Sequence, residues 1–336
     1  MSELITQIAS DAVIDKAYDW LCKQRKNFSH NNDVWTLRRC WQTIKPNLQQ
    51  KLRQGKYCFS PQTEIRLPEE KLESWCAIDS LVLKAMAIVI GNHLKPILSS
   101  RCFHIKGHGG AKKAVREVHN HLSPKSYVMK SDVKSYYASI DHMLLFDMLT
   151  GYVNDKYVLR LLWQYLNRTV CYGENYQEIS RGISLGCPLS PLMAALFLKP
   201  LDDAMQDSGL FYVRFMDDWI VIAPTRWKLR KAVAKVNTIL EGLLLEKHPD
   251  KTFIGRAVRG FSFLGYFLTP WGVSVAQSTW KNMQKRISRL YEQDAGSIGQ
   301  YVTRWLRWVI AGNIGVDVAV LQGQCAGLVS LVPAFH

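Results

Sequence analysis

Phe211-Tyr-Val-Arg-Phe-Met-Asp-Asp-Trp-Ile-Val-Ile-Ala223 decides how this chain is read. Phe211–Phe215 and Trp219–Ala223 are strand-like, and Met216-Asp217-Asp218 falls between them at a hairpin tip. For folding alone the adjacent aspartates are a poor choice. Like charges so close repel, and neither Met-Asp nor Asp-Asp is a preferred hairpin turn. A divalent cation would compensate directly; a solvated acidic turn is the equal alternative for the pair taken by itself.

The neighbouring segments break that tie. Tyr127-Val-Met-Lys-Ser-Asp-Val133 reads as a strand that delivers Asp132 at its end. If it neighbours the hairpin in one sheet, three carboxylates converge. Oxygen-only ligation with open positions suits Mg2+ or Mn2+. Two such ions would activate an attacking hydroxyl and stabilise the leaving oxygen of an in-line displacement.

Outward from this centre, Thr225 precedes a helix whose apolar positions Leu229, Ala232, Val233, Val236, Ile239, Leu240 and Leu243 keep a 3.6-residue period. Gly260–Leu268 reads as a second hairpin, Thr169–Ile183 as a hairpin around Gly173, and Pro191–Leu201 as a helix with proline in its first turn. Helices are expected over 4–24, 35–56, Asp79–Leu94, Ala111–Leu122 and Leu144–Asn167, and from about Trp280 onward. The order is a helical lobe, a mixed lobe and a helical lobe.

The 336 residues carry 43 Lys+Arg against 28 Asp+Glu, a net charge of +15. With 48% hydrophobic residues the chain is neither disordered nor of low complexity. The basic balance asks for a polyanionic partner, of which nucleic acid is the usual one. The eight cysteines are scattered without a CxxC pair, so reduced thiols and a cytoplasmic location are expected. No signal peptide is read at the start and no apolar run of membrane-spanning length, Ala85–Ile90 being too short. The apolar tail Val316–Phe335 reads either as a buried part of the last helical lobe or as a homo-oligomer interface. Trp305 and Trp308 read as core, with Arg304 and Arg307 as phosphate contacts. His104, His108, His119 and His121 cluster without zinc-ligand spacing and read as hydrogen-bonding or solvated side chains.

Lys130-Ser-Asp132-Val-Lys-Ser-Tyr-Tyr137-Ala-Ser-Ile-Asp-His142, Arg181-Gly-Ile-Ser-Leu-Gly186-Cys-Pro-Leu-Ser190-Pro191 and Phe215-Met-Asp217-Asp218 follow one another in the order and spacing of a reverse transcriptase. They resemble its first acidic motif, its template and nucleotide loop and its double-aspartate turn. His248-Pro-Asp-Lys251-Thr252 and Gly260–Leu268 resemble the two motifs after them, the second being the primer grip. The likeness spans roughly residues 60–270. It resembles bacterial enzymes of the group II intron, retron and diversity-generating kinds, and most of all stand-alone "unknown group" and defence-associated ones. Ser184-Leu185-Gly186 departs from the family's Pro-Gln-Gly, so a glutamine contact to the nucleotide is not expected there. No maturase, zinc-finger or endonuclease signature is read after the grip.

The resemblance implies an α+β, right-hand polymerase. Fingers would span 1–125 with part of 144–180, a palm of antiparallel sheet and helices 126–270, and a helical thumb 271–336. It implies that Asp132, Asp217 and Asp218 hold the metal, and that Lys251 protonates departing pyrophosphate. It also implies that Lys106 and Lys112 touch the triphosphate, that Tyr137 lies under the sugar and excludes a 2′-hydroxyl, and that Gly186, Ser190 and Pro191 shape the loop over the template base. The implied partners are an RNA template, a DNA product and dNTPs, without a membrane. The implied setting is antiphage defence with a cognate noncoding RNA. A non-catalytic, maturase-like RNA-binding scaffold and an RNA-dependent RNA polymerase are the alternatives.

Overall fold

The computed structural model of the chain describes residues 3–66 and 71–312. The tail Val316–Phe335 lies outside the described residues.

The amphipathic start forms two helices, α1 (Glu3–Ile8) and α2 (Asp11–Gln24). Ser10 separates them, with an extended backbone and a hydroxyl that donates to Gln7 O at 2.7 Å. The basic stretch also divides, into α3 (Asp33–Arg39), capped by the Asn32 side chain, and α4 (Trp41–Arg53). Strands β1 (Gln62–Arg66) and β2 (Lys71–Ser74) lead to α5 (Ala77–Leu94). Then come α6 (Gly110–His121), β3 (Tyr127–Ser131) and the one-turn α7 (Tyr136–Ser139). The helix expected over Leu144–Asn167 is two, α8 (His142–Thr150) and α9 (Lys156–Leu166). Asp155 starts the second by accepting from Tyr157 N and Val158 N.

Strands β4 (Thr169–Tyr172) and β5 (Asn175–Glu178) form the hairpin around Gly173. Helices α10 (Ser190–Phe197) and α11 (Lys199–Asp207) precede β6 (Phe211–Phe215) and β7 (Asp218–Ala223). Helix α12 (Arg226–Gly242) follows, then β8 (Phe253–Arg256), β9 (Phe261–Phe263), β10 (Tyr266–Thr269) and β11 (Gly272–Val275). Helices α13 (Gln277–Gln293) and α14 (Ile298–Gly312) end the described chain. Helices and mainly antiparallel sheets are interleaved, so the fold class is α+β.

Two compact units arise, each built from separated segments. The first takes the residues up to Ser99, Lys134–Pro200 and Ile239–Glu246. Its sheet runs β2-β1-β4-β5, with β1 and β4 parallel. Helix α5 packs against α1, α2 and α3. It corrects one expectation: it is long and apolar enough by composition to cross a membrane, and 61% of it is buried inside the protein. Asp79 explains its place. It is fully enclosed, bonded by Tyr57 Oη and by the Ser60 N–H (2.9 Å), and it lies inside the helix rather than capping it.

The second unit takes Ser100–Val133, Leu201–Thr238 and the described residues from Lys247 on. Its central sheet is antiparallel throughout, in the order β6-β7-β3-β8. Val128, Val213, Ile220 and Ile222 on one face of it pack with Val115 and Val118 of α6 and with Phe261, Phe263 and Leu268 of the smaller β11-β10-β9 sheet. Burying a side chain of this size stabilises a fold by about 1.5–3 kcal/mol, so this face is closed by apolar contact and only its far end is free for polar groups. Trp305 is buried against α13, as expected; Trp308 is 36% exposed and stacks on Tyr266 instead.

Candidate active site

Strand pairing builds the site. Ser131 of β3 faces Trp219 of β7, so the next step along each chain sets Asp132 beside Asp218. Side chains alternate along a strand, which puts Lys130, Asp132 and Asp218 on one face at one end of the sheet. Phe215 pairs with Asp218, leaving Met216 and Asp217 as a two-residue turn. Met216 has φ +59°, the left-handed sign at the first loop position that a primed hairpin turn requires. A side chain there costs about 1–3 kcal/mol unless its surroundings hold it.

They do. Arg214 Nη1 donates to Met216 O at 2.8 Å, and the Met216 N–H donates to His104 Nδ1 at 3.0 Å. Arg214 is fully buried; its Nε donates to Asp202 Oδ1 (2.7 Å), its Nη2 to Asp202 Oδ2, and Tyr212 Oη also donates to Asp202 Oδ1 (2.8 Å). His104 arrives because Arg101–Phe103 runs parallel to β6, with Phe103 N donating to Arg214 O at 2.8 Å. The sequence placed neither residue at the turn: Arg214 reads as one polar position in a strand, and His104, expected only to hydrogen-bond or be solvated, is distant along the chain.

Two lysines attend the carboxylates. Lys251 Nζ donates to Asp132 Oδ2 at 2.8 Å, and that bond raises the lysine's pKa. Lys130 Nζ approaches Asp218 Oδ1 at 3.4 Å, an ion pair whose geometry leaves that oxygen without a hydrogen bond. Burial holds the Asp217 carboxyl above its ordinary value, with neighbouring Asp132 adding to it. Burial pushes Asp218 up to about 7 against the pull of Lys130. Lys130 is a site residue that sequence reasoning missed; an isolated lysine in an apolar strand gave the only hint.

These residues fit a divalent ion in chemistry. Asp132 Oδ1 and Asp218 Oδ1 are buried without a hydrogen-bond partner, and two raised carboxyl pKa values mark negative charge short of compensation. The carboxylates are neighbours rather than a closed cage. Among the described residues no three His, Cys, Asp or Glu side chains form a ligand group, and Lys251 and Lys130 hold the positions beside two of them.

Lys106 and Lys112 also lie in the second unit. Lys106 is exposed, after the Phe103–Ile105 turn. Lys112 Nζ instead bonds Tyr266 Oη and Trp308 O and lies 3.7 Å from the Trp308 ring centroid, so its amine ties α6 to α14. Burial drives its pKa down to about 8, whereas the two ring faces favour the charged form; the contacts are close and specific, and a charged amine accounts for them.

The other expected residues lie in the first unit. Tyr136 is buried, its hydroxyl donating to Ala194 O at 2.6 Å, while Tyr137 is half-buried and its carbonyl accepts from Ile183 N at 2.8 Å. Gly186 has φ +75° in the exposed crest of the loop, beside Leu185. Ser190 is buried; its hydroxyl bonds Ser184 O and Tyr165 Oη (2.6 Å), closing the loop from beneath. Below it, Gln62 Nε2 and Trp75 Nε1 donate to Ser184 Oγ at 2.8 and 3.1 Å, and Arg168 donates to Gln62 Oε1 (2.8 Å) and Gly182 O (2.9 Å). This buried network has no sequence signature, because its members are far apart along the chain.

Carboxylates gathered at one end of an antiparallel sheet, with lysines at hand, define a site suited to nucleotidyl transfer. The chain belongs to the reverse transcriptase (RNA-dependent DNA polymerase) family, whose profile matches residues 70–268. It is 23% identical over 217 residues to a putative COX1/OXI3 intron 1 protein of Saccharomyces cerevisiae, covering 62% of this chain and 26% of that protein. It is 23% identical over 235 residues to protein YkfC of Escherichia coli, covering 56% and 60%. It is 21% identical over 124 residues to the group II intron-encoded protein LtrA of Lactococcus lactis, covering 37% and 21%. The chain thus spans less than two thirds of each of these relatives. A solved partial Cas6-RT-Cas1–Cas2 complex is similar at a TM-score of 0.45 and 18% identity, over 72% of this chain and 43% of that one.

Proposed function

We propose that the chain is an RNA-directed DNA polymerase that extends a primer 3′ end with deoxynucleoside triphosphates. The observation that carries this reading is the β3–β7 register, which sets Asp132 beside Asp218 and the Asp217 turn in a chain of this family. Asp132 and Asp217 would hold divalent ions with Asp218 beside them; Mg2+ fits an all-oxygen set, with Mn2+ as the substitute. When bound, such ions supply activation of the attacking hydroxyl and neutralisation of the leaving oxygen.

The chain's own groups do the rest. Lys251 stands beside Asp132 with a proton it can pass to departing pyrophosphate. Lys130 offsets the charge of Asp218. Lys106 lies on the loop assigned to the triphosphate, and the same role for Lys112 would require its amine to leave Tyr266 and Trp308. Tyr137 selects the sugar, and Gly186, Ser190 and Pro191 present the loop to the template base. Fingers over 1–125 with part of 144–180, palm over 126–270 and thumb over 271–336 are the proposed division of labour. The proposed setting is the bacterial cytoplasm, with a cognate noncoding RNA as template in antiphage defence; its support is the motif resemblance.

The test is primer extension on an RNA template with dNTPs and Mg2+, comparing the chain with Asp217→Asn. DNA synthesis that vanishes in the variant is expected. RNA binding without synthesis would favour the scaffold reading, and preferred use of rNTPs the RNA polymerase reading.

A further inference from the structure

We propose that the second unit carries a separate cleft for single-stranded RNA, on the sheet face opposite the carboxylates. Because strand side chains alternate, Lys130 and Asp132 share one face of β3, and Tyr127, Met129 and Ser131 the other. Tyr127 pairs with Arg256 and Met129 with Ile254, so Arg256 and Ile254 belong to that second face. Tyr127, Ile254 and Arg256 join Arg226 and Arg230 of α12 and Arg259 in lining a cleft of about 540 Å3. Asp132 and Tyr127 are five residues apart on extended chain, roughly 16 Å. That is about five nucleotide steps at 3.4 Å each. The cleft is therefore distinct from the carboxylate site.

No Asp or Glu lines it. The four arginines are exposed; Arg256 lies over the Tyr127 ring at 5.9 Å, and the side chains of Arg226, Arg230 and Arg259 make no hydrogen bond or ion pair among the described residues. Four guanidinium groups without a carboxylate repel one another, and each presents a planar fork matched to phosphate oxygens. The ligand is thus an anion with several phosphates in a row. Tyr127 and the 49%-exposed Ile254 add an aromatic and an apolar surface between the cations, a combination suited to bases along a phosphate chain. RNA rather than DNA is assigned because the template is the polyanion present before any product exists. That assignment rests on the polymerase reading; the phosphate chemistry does not.

The experiment measures binding of fluorescein-labelled single-stranded oligo(rA) to the full chain by anisotropy across a salt series. The variants are R226Q/R230Q/R259Q and the lysine counterpart R226K/R230K/R259K. In the glutamine variant, affinity at low salt should fall at least about tenfold. The slope of log affinity against log salt should become shallower by about 2, three contacts at roughly 0.7 each. The lysine variant should keep the slope. Unchanged affinity and slope overturn the proposal. So does a loss confined to the oligo(dA) analogue, or confined to phosphatidylserine vesicles. Should the triple variant fail to fold, Arg259→Glu alone gives the same reading, with loss supporting and no loss overturning. The measurement reads binding and not synthesis, so its failure and that of the Asp217→Asn extension test are told apart.

Discussion

Lys251 Nζ lies 2.8 Å from Asp132 Oδ2, a contact between a lysine ahead of an edge strand and the carboxylate at the end of β3. On the proposed reading the amine competes with a cation for that oxygen and supplies a proton to the leaving group. Lys251→Met should therefore separate two quantities. The Mg2+ concentration for half-maximal single-nucleotide incorporation should fall, because the competitor is gone, while kcat drops about 10²-fold with the acid. A Mg2+ titration of incorporation rate reads both, and an unchanged kcat would leave Lys251 a counter-ion only.

Tyr137 is half-buried while Tyr136 is buried and anchored to Ala194 O, so the second ring is the more exposed of the two and the one proposed to meet the sugar. Tyr137→Ala should gain ribonucleotide incorporation with fold and Tm nearly unchanged. Competing dNTP and rNTP in one extension assay gives the ratio, and an unaltered ratio removes Tyr137 from sugar selection.

His104 acts as a positioning residue, through the Met216 N–H that it accepts at Nδ1. His104→Ala frees the left-handed turn and should lower kcat by about 10²-fold, the scale of a small misplacement of reacting groups, with little change in KM for dNTP. Asn carries an acceptor near the Nδ1 position, so His104→Asn should recover most of the rate. A purely structural histidine would show no such rescue.

Asp202 and Arg214 form a fully buried ion pair. Asp202→Asn leaves the guanidinium without its counter-charge and should cost about 3–5 kcal/mol, the usual penalty for breaking such a pair. Urea unfolding followed by fluorescence measures it, with Asp203→Asn on the same helix as the comparison.

His142 is 3% exposed, donates from Nε2 to Gly182 O at 2.8 Å, and leaves Nδ1 buried without a partner. Burial lowers its pKa below the ordinary 6.5. As pH falls through about 6.5 the unfolded chain takes a proton that the folded chain refuses, so stability drops. Above that range both states are neutral and the contribution is flat. Tm measured from pH 7.5 down to 5 should decline less in His142→Gln, whose amide can still donate to Gly182 O.

Legibility followed locality. The Phe211–Ala223 hairpin and the Thr225-led helix were readable because alternation and 3.6-residue periodicity are local signals. The helix breaks at Ser10 and Asp155 were not, since a capping residue and a helical polar residue look alike until the backbone direction is known. Asp79, where the expected helix begins, lies inside the longer α5 as a buried acceptor for Tyr57 and Ser60, which no local pattern shows. At the candidate site the aspartates stood out because charge at a hairpin tip is costly. Lys130, His104, Arg214 and Asp202 did not, because their placement depends on strand register and on the segment added beside β6.

The carboxylates and Lys251 come from three separate stretches of chain, and the last of them is translated with β8. A nascent polypeptide therefore holds an unfinished centre until that edge strand joins. A fragment ending before Lys251 would carry all three aspartates but neither that amine nor the β8 edge beside β3.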